Sequence, residues 1–224
     1  MNLYKKRTVI ITGAGRGLGA ALTRKFAKEN YDIVFVSKNS KPPEDIRESI
    51  VKVFRGDLSH TSFLKDIVES CSGKIHVLIN NAGVRHVGGP GKLGLIQLAE
   101  MVDVNFFTPM LLTYWLWDTL SKNQGVVVNI NSLSANMPGP GEWVYSATKA
   151  GLQGMSKGLQ FDATEHGVRV FNVELGKMAT DMGGDNKKGV LIDPNEVASF
   201  IIQLCHCNEP SFRIPSVELC RRQY

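Results

Sequence analysis

The 224-residue chain reads as an α/β protein built on a doubly wound parallel sheet, with residues 1–224 forming a single domain. Three observations point there. Short runs of branched aliphatic residues alternate with longer amphipathic runs along most of the chain. A glycine-rich turn follows the first of those runs directly. A composition of 43% hydrophobic and 21% charged residues over this length suits one sizeable core.

The first strand is expected over Thr8 to Thr12, behind Lys5, Lys6 and Arg7, because Thr-Val-Ile-Ile-Thr is branched at every Cβ. A continuous run of this kind suits a strand buried on both faces. The chain then turns through Gly13, Gly15, Gly17 and Gly19 and continues as an amphipathic helix from Ala20 to Glu29. Counted from Gly13, a Gly-x-Gly-x-x-Gly fingerprint would need glycine where Leu18 stands. The spacing is instead Thr-Gly-x-x-x-Gly-x-Gly through Thr12, Gly13, Gly17 and Gly19. Glycines placed here let the backbone approach a pyrophosphate at a helix N-terminus.

Further strands are expected at Asp32 to Ser37, Val51 to Arg55, Ile75 to Asn80, Val126 to Asn131 and Val168 to Leu175, with a last one over Ile214 to Leu219. The second crossover has only Ser40 to Ile50 to work with, so Pro42-Pro43 should precede a helix of about two turns. Asp193-Pro194-Asn195-Glu196 supplies an N-cap, a proline at the first helical position and a glutamate at the third, which marks the start of the last helix. There are no repeats, low-complexity tracts or linkers.

Several function classes fall away. The net charge of +5 comes from scattered Lys and Arg, with no basic stripe interleaved with aromatics, so nucleic acid is not an expected partner. The N-terminal Met1 to Lys6 lacks the apolar core of a signal peptide. The apolar stretch Val102 to Leu120 is interrupted by Asp103, Asn105, Pro109 and Asp118, so no membrane span is expected and the chain reads as cytoplasmic. Four cysteines give no disulfide framework, and Cys205-His206-Cys207 lacks a second ligand pair, so no metal site is expected.

The chemistry gathers around Tyr145-Ser146-Ala147-Thr148-Lys149. On a helix this spacing places a phenol and an ammonium on one face, where the cation favours the ionised phenol. Ser132 stands thirteen residues earlier, after the Val126 to Asn131 strand, Asn80-Asn81-Ala82-Gly83 closes the apolar Ile75 to Ile79 run, and Asn105 lies in a long helical pattern. Each has an ordinary alternative: Ser132 capping a turn, Asn105 satisfying helix backbone, Lys149 solvated, Tyr145 packed. Their joint placement with the glycine loop is the specific signal.

With the Thr-Gly-x-x-x-Gly-x-Gly, Asn-Asn-Ala-Gly, Ser and Tyr-x-x-x-Lys elements in this order, the whole chain resembles the short-chain dehydrogenase/reductase family. The resemblance implies a Rossmann fold and hydride transfer between a nicotinamide cofactor and a carbonyl or alcohol. Tyr145 would donate a proton to the carbonyl oxygen and Ser132 would hydrogen-bond it. Lys149 would lower the Tyr145 pKa and hold the nicotinamide ribose, and Asn105 would position a water. Gly13, Gly17, Leu18 and Gly19 would meet the pyrophosphate, Asp57 with Leu58 the adenine, and Asn81, Ala82 and Gly83 the adenosine side. Met178 and Thr180 would lie near the nicotinamide, although Leu175 stands where the family's Pro-Gly segment has proline, leaving the local backbone path open.

The second strand ends in Ser37-Lys38-Asn39 rather than an acidic residue, and Arg16 sits in the glycine loop. Two cations suit a 2′-phosphate, so NADP(H) is the expected cofactor. The expected reaction is reduction of a small-molecule or carrier-borne carbonyl. A 3-oxoacyl-thioester reductase, an alcohol dehydrogenase, or a non-catalytic NADP(H) sensor are the alternatives. The apolar excess of Val102 to Leu120, including Phe106, Phe107, Trp115 and Trp117, points to a homodimer or homotetramer through this helix and the Tyr145 helix. Leu133, Met137, Trp143, Met178 and Met182 should border an open pocket, because Asp181 to Ile192 is short, glycine-bearing and expected to stay mobile.

Overall fold

The structure is a computed structural model that describes residues 6–71, 73–180, 191–207 and 213–220. Seven parallel strands form one sheet in the order β3-β2-β1-β4-β5-β6-β7. They are β1 (Thr8–Thr12), β2 (Asp32–Ser37), β3 (Ile50–Arg55), β4 (Ile75–Asn80), β5 (Val126–Ser132), β6 (Arg169–Leu175) and β7 (Val217–Leu219). The helices are α1 (Gly17–Lys28), α2 (Thr61–Ser70), α3 (Leu95–Val102), α4 (Thr108–Lys122), α5 (Trp143–Glu165) and α6 (Pro194–His206). The winding reverses between β1 and β4, so a crevice opens at the carboxyl ends of these two strands.

Every residue of β1 is buried, as its unbroken branched run requires. One face of the sheet packs on α1 and α6 through Leu22, Phe26 and Ile201; the other packs on α2 and α4 through Leu64, Leu112 and Leu116. Each of these buried side chains contributes about 1.5–3 kcal/mol relative to exposure. Polar groups pin α5 to the sheet. Asn129 accepts from Asn80 and donates to the Ser156 hydroxyl, each at 2.8 Å, while Asn131 donates to the Lys149 carbonyl at 3.1 Å and to Asn172 at 2.9 Å.

Four local differences from the sequence reading have physical causes. The glycine loop joins the helix earlier, since α1 starts at Gly17 rather than Ala20. The second crossover is a kinked 3-10 segment, Glu44–Ser49, with no buried residue, because Glu-Asp-Ile-Arg-Glu-Ser has no apolar face to dock an α-helix. β7 begins at Val217 rather than Ile214, as Pro215 has no N–H for the ladder. The Val102 to Leu120 pattern is likewise not one continuous α-helix. Pro109 cannot donate to the Asn105 carbonyl, and the chain widens into a π turn at Asp103–Phe107 before α4. Leu95–Lys122 is long and apolar enough to cross a membrane by length and composition alone, but Leu112, Leu116 and Leu120 of this stretch lie in the core against the sheet.

Leu175 resolves the backbone path after β6. It stays in the strand, paired with Ser132 on one side and Leu219 on the other, and the following Gly176 N–H donates to the Leu219 carbonyl at 3.0 Å. Residues 181–190, including Met182 and most of the segment expected to be mobile, lie outside the described residues.

Candidate active site

A cleft of about 1530 Å³ runs along the carboxyl ends of the strands. The glycine loop forms one wall. Gly13 has φ +65°, in the region that favours glycine, and a Cβ added there would lie 2.9 Å from Ala82 Cα. At Gly19 an added Cβ would lie 2.0 Å from the Gly13 carbonyl oxygen, so only hydrogen lets α1 start this close to β1. Asn81 closes the turn by donating to the carbonyls of Thr12 and Gly13 at 2.8 and 3.2 Å, and the Thr12 hydroxyl accepts the Asn81 and Ala82 N–H groups at 3.0 Å each. The result is a backbone cradle without side chains, opening onto the N-terminus of α1, and it fits a dinucleotide pyrophosphate.

Arg16, Gly17, Leu18, Ser37, Lys38, Asp57, Leu58, Asn81, Ala82 and Gly83 all line this end of the cleft. Lys38 is an engaged cation. Its Nζ lies 2.7 Å from Asp57 and 3.5 Å from Glu100, and these partners raise its pKa, the hydrogen bond to Asp57 most of all. Burial opposes ionisation of Asp57. The Lys38 contact and two hydrogen bonds from Ser59 outweigh it and hold the carboxyl at about 2. Glu100 also meets His86 Nε2 at 2.9 Å, so it ties Lys38 to the loop after Gly83.

At the other end Ser132, Tyr145 and Lys149 line the same cleft, with Met178 and Thr180 on the β6 side. Burial raises the Tyr145 pKa, opposed by hydrogen bonding with the Ser132 hydroxyl and by the positive charge of Arg85; the Glu142 charge pushes it up. The Lys149 ammonium lies 5.9 Å from the Tyr145 ring centroid and donates to the Ile130 carbonyl at 2.8 Å, and the nearby Arg85 charge lowers the phenol. Lys149 is 4% exposed, and burial brings its own pKa down to about 8.

Asn105 is fully buried in the π turn behind the cleft wall. Its side chain accepts the Val84 N–H at 2.8 Å and donates to the Val84 carbonyl at 2.9 Å and to the Thr148 hydroxyl at 3.2 Å. The amide is therefore spent on fixing the chain after Gly83. A Cβ at Gly83 would be 3.4 Å from Asn105 Oδ1 and 4.0 Å from Lys149 Nζ, so the three residues are near neighbours. Of the expected pocket border, Leu133, Met137 and Met178 line the cleft. Trp143 is instead half exposed, with its Nε1 donating to the Gly88 carbonyl at 3.0 Å. Among the described residues no cluster of His, Cys, Asp or Glu could hold a metal ion.

Arg85, Glu100, Ser134 and Glu142 also line the cleft and escaped the sequence reading. Arg85 follows Gly83 by two residues and Glu142 precedes Tyr145 by three, so each was next to a motif. Their pairing spans 57 positions, and nothing local signals it.

Comparison with known proteins agrees with this geometry. Residues 7–190 match the short chain dehydrogenase family model. The serine 3-dehydrogenase of Agrobacterium fabrum (strain C58) is 32% identical over 181 residues, covering 78% of this chain and 73% of that protein. The 3-ketoacyl-(acyl-carrier-protein) reductase of Brucella melitensis, solved with NADH, superposes with a TM-score of 0.84 at 25% identity, covering 95% and 96% of the two chains. The alcohol dehydrogenase of the archaeon Thermococcus sibiricus, solved with 5-hydroxy-NADP, shares the fold with a TM-score of 0.83 at 22% identity, covering 98% of this chain and all of that one. With a sheet of this order, a glycine cradle at its switch point and a family match over most of its length, the chain belongs to the short-chain dehydrogenase/reductase family.

Proposed function

We propose that this oxidoreductase reduces a carbonyl compound with NADPH, using Tyr145 as the proton donor. The observation that carries the reading is the buried Tyr145 phenol with the part-buried Ser132 hydroxyl acting on it, where the cleft is lined by both. A carbonyl oxygen seated between them would meet two donors, with the raised Tyr145 pKa keeping the phenol protonated until charge develops. Bound NADPH supplies the hydride. The protein supplies the cradle around Gly13 and Gly19, the buried Lys149 ammonium behind the phenol, and an Asn105 that fixes the Val84 backbone.

The NADPH preference rests on Lys38 and Arg16 at the adenosine end and on a β2 that ends without a carboxylate. A 2′-phosphate would compete with Asp57 and Glu100 for Lys38, so the preference should be moderate rather than absolute. Solved relatives carry either cofactor type, NADH or 5-hydroxy-NADP. A 3-oxoacyl-thioester reductase is the second reading, favoured by the exposed Met137 at the cleft and by the likeness to the Brucella enzyme. Phe107 in the turn before α4, Tyr114 on α4 and Phe161 on α5 are exposed, which supports a homodimer or homotetramer.

A panel of aldehydes, ketones and 3-oxoacyl thioesters, run with NADPH and NADH at one salt concentration, tests the reading. At least one carbonyl should drive oxidation of NADPH faster than of NADH. Cofactor binding with no consumption across the panel would instead identify a sensor.

A further inference from the structure

Glu142 belongs to none of the motifs that identify the family, yet it is the most heavily hydrogen-bonded carboxylate at the catalytic end of the cleft. The residue is 7% exposed. Its Oε1 accepts from Arg85 Nε at 2.8 Å and Nη2 at 2.5 Å, and its Oε2 accepts the Gly139 N–H at 2.9 Å and the Ser134 hydroxyl at 3.0 Å. These donors come from segments that carry the site. Ser134 N–H donates to Ser132 Oγ at 3.1 Å, Arg85 follows Gly83 by two residues, and Glu142 is the N-cap position of α5, three residues before Tyr145. The backbone closes the same seam, with Gly88 N–H donating to the Gly141 carbonyl at 3.0 Å.

A buried carboxylate is costly unless every acceptor is used, and removing its cation leaves an uncompensated charge. Here both oxygens are satisfied, and the charge stands within the field of the phenol. We propose that Glu142 is a positioning residue for catalysis: clasped to Arg85, it holds the Ser132 turn and the start of the Tyr145 helix together, and the pair balances the charge that Tyr145 senses. The proposal rests on the reading of Tyr145 as proton donor.

The groups acting on the phenol are Ser132, Arg85, Glu142 and the Lys149 ammonium beside the ring. Arg85 favours the phenolate and Glu142 disfavours it. Glu142→Gln keeps an acceptor but leaves Arg85 unbalanced, so Tyr145 should titrate at lower pH. Arg85→Gln leaves Glu142 unbalanced, so Tyr145 should titrate at higher pH. A purely structural role would slow turnover in both variants without moving the titration in opposite directions.

The test is an NMR titration of protein labelled at tyrosine ¹³Cζ, with the Tyr145 resonance assigned by its loss in Tyr145→Phe and NADPH binding used to verify folding. The expected midpoints rise in the order Glu142→Gln, wild type, Arg85→Gln, with neighbours separated by about half a pH unit or more. Should Glu142→Gln not fold, Arg85→Lys against Arg85→Gln carries the same test, the lysine staying near wild type and the glutamine moving up. Coincident midpoints, shifts in one direction only, or no titration in any of these proteins would overturn the proposal. The readout needs no turnover. An active Tyr145→Phe would therefore remove the proton-donor reading while leaving the titration order to be judged by itself.

Discussion

Lys38 and Lys149 line the same cleft, yet their surroundings drive their amines in opposite directions. The Lys38 side chain is 56% exposed and its two carboxylate neighbours raise its pKa; Lys149 is 4% exposed and burial lowers its pKa to about 8. The difference is one of solvent. At the Lys38 end water and carboxylates keep the cation charged and exchangeable, which suits the anion-binding role proposed for it. At the Lys149 end the amine is dry, donates to the Ile130 carbonyl and, with its pKa brought down to about 8, sits closer to losing a proton, which suits the proton handling proposed beside Tyr145. Residue type alone would have made the two lysines equivalent.

The sharpest way to break this division is at the dry end. Tyr145→Phe should lower turnover by about 10²–10⁴-fold, the usual contribution of a general acid, while leaving the NADPH Kd nearly unchanged. Steady-state kinetics beside a fluorescence titration of NADPH checks both halves. Unchanged turnover would show that the buried phenol is packing.

Lys149→Met probes the burial itself through stability. A lysine whose folded pKa lies near 8 instead of 10.5 is penalised fully below pH 8, by about 3 kcal/mol, because the folded state holds the proton less well than the unfolded chain. The penalty fades as pH rises from 8 to 10.5, so wild-type stability should gain on the methionine variant across that window. Loss of the donor to Ile130 costs the variant about 1–3 kcal/mol at every pH and does not alter the trend. Denaturant melts at pH 7 and pH 10 read the change.

The wet end should give smaller effects. Glu100→Gln removes one competitor for Lys38 and should tighten NADPH by at most about 5-fold, since exposed pairs are worth about 0–1 kcal/mol. The gain should shrink with added salt in titrations at two ionic strengths. Least of all, Asp57→Asn should cost a little stability above the ordinary carboxylate range. With the folded carboxyl at about 2, that contribution is present above pH 4 and is lost as pH falls toward 2, which acid melts of the two proteins would show.

Much of this could be read from residue order, for reasons particular to each element. β1 was legible because branched residues fill it, the cradle because glycine spacing reports close backbone approach, and α6 because Asp193 and Pro194 announce it. The π turn was not, as it arises from Pro109 acting on a carbonyl four residues back inside an otherwise helical pattern. The true environment of Tyr145 was hidden for a different reason. A four-residue helical spacing says that Lys149 shares a face with Tyr145, but burial and the Ile130 carbonyl decide where its ammonium goes. The Arg85 to Glu142 pairing crosses between separate strand-to-helix connections, so only the tertiary fold reveals it.

One measurement bears most directly on the division of the cleft into a dry and a wet end: an NMR titration of the lysine ε-groups, with Lys38 and Lys149 assigned by substitution. Lys149 should lose its proton near pH 8 and Lys38 should keep its own beyond the ordinary lysine value. Two lysines titrating together in the ordinary range would contradict the account.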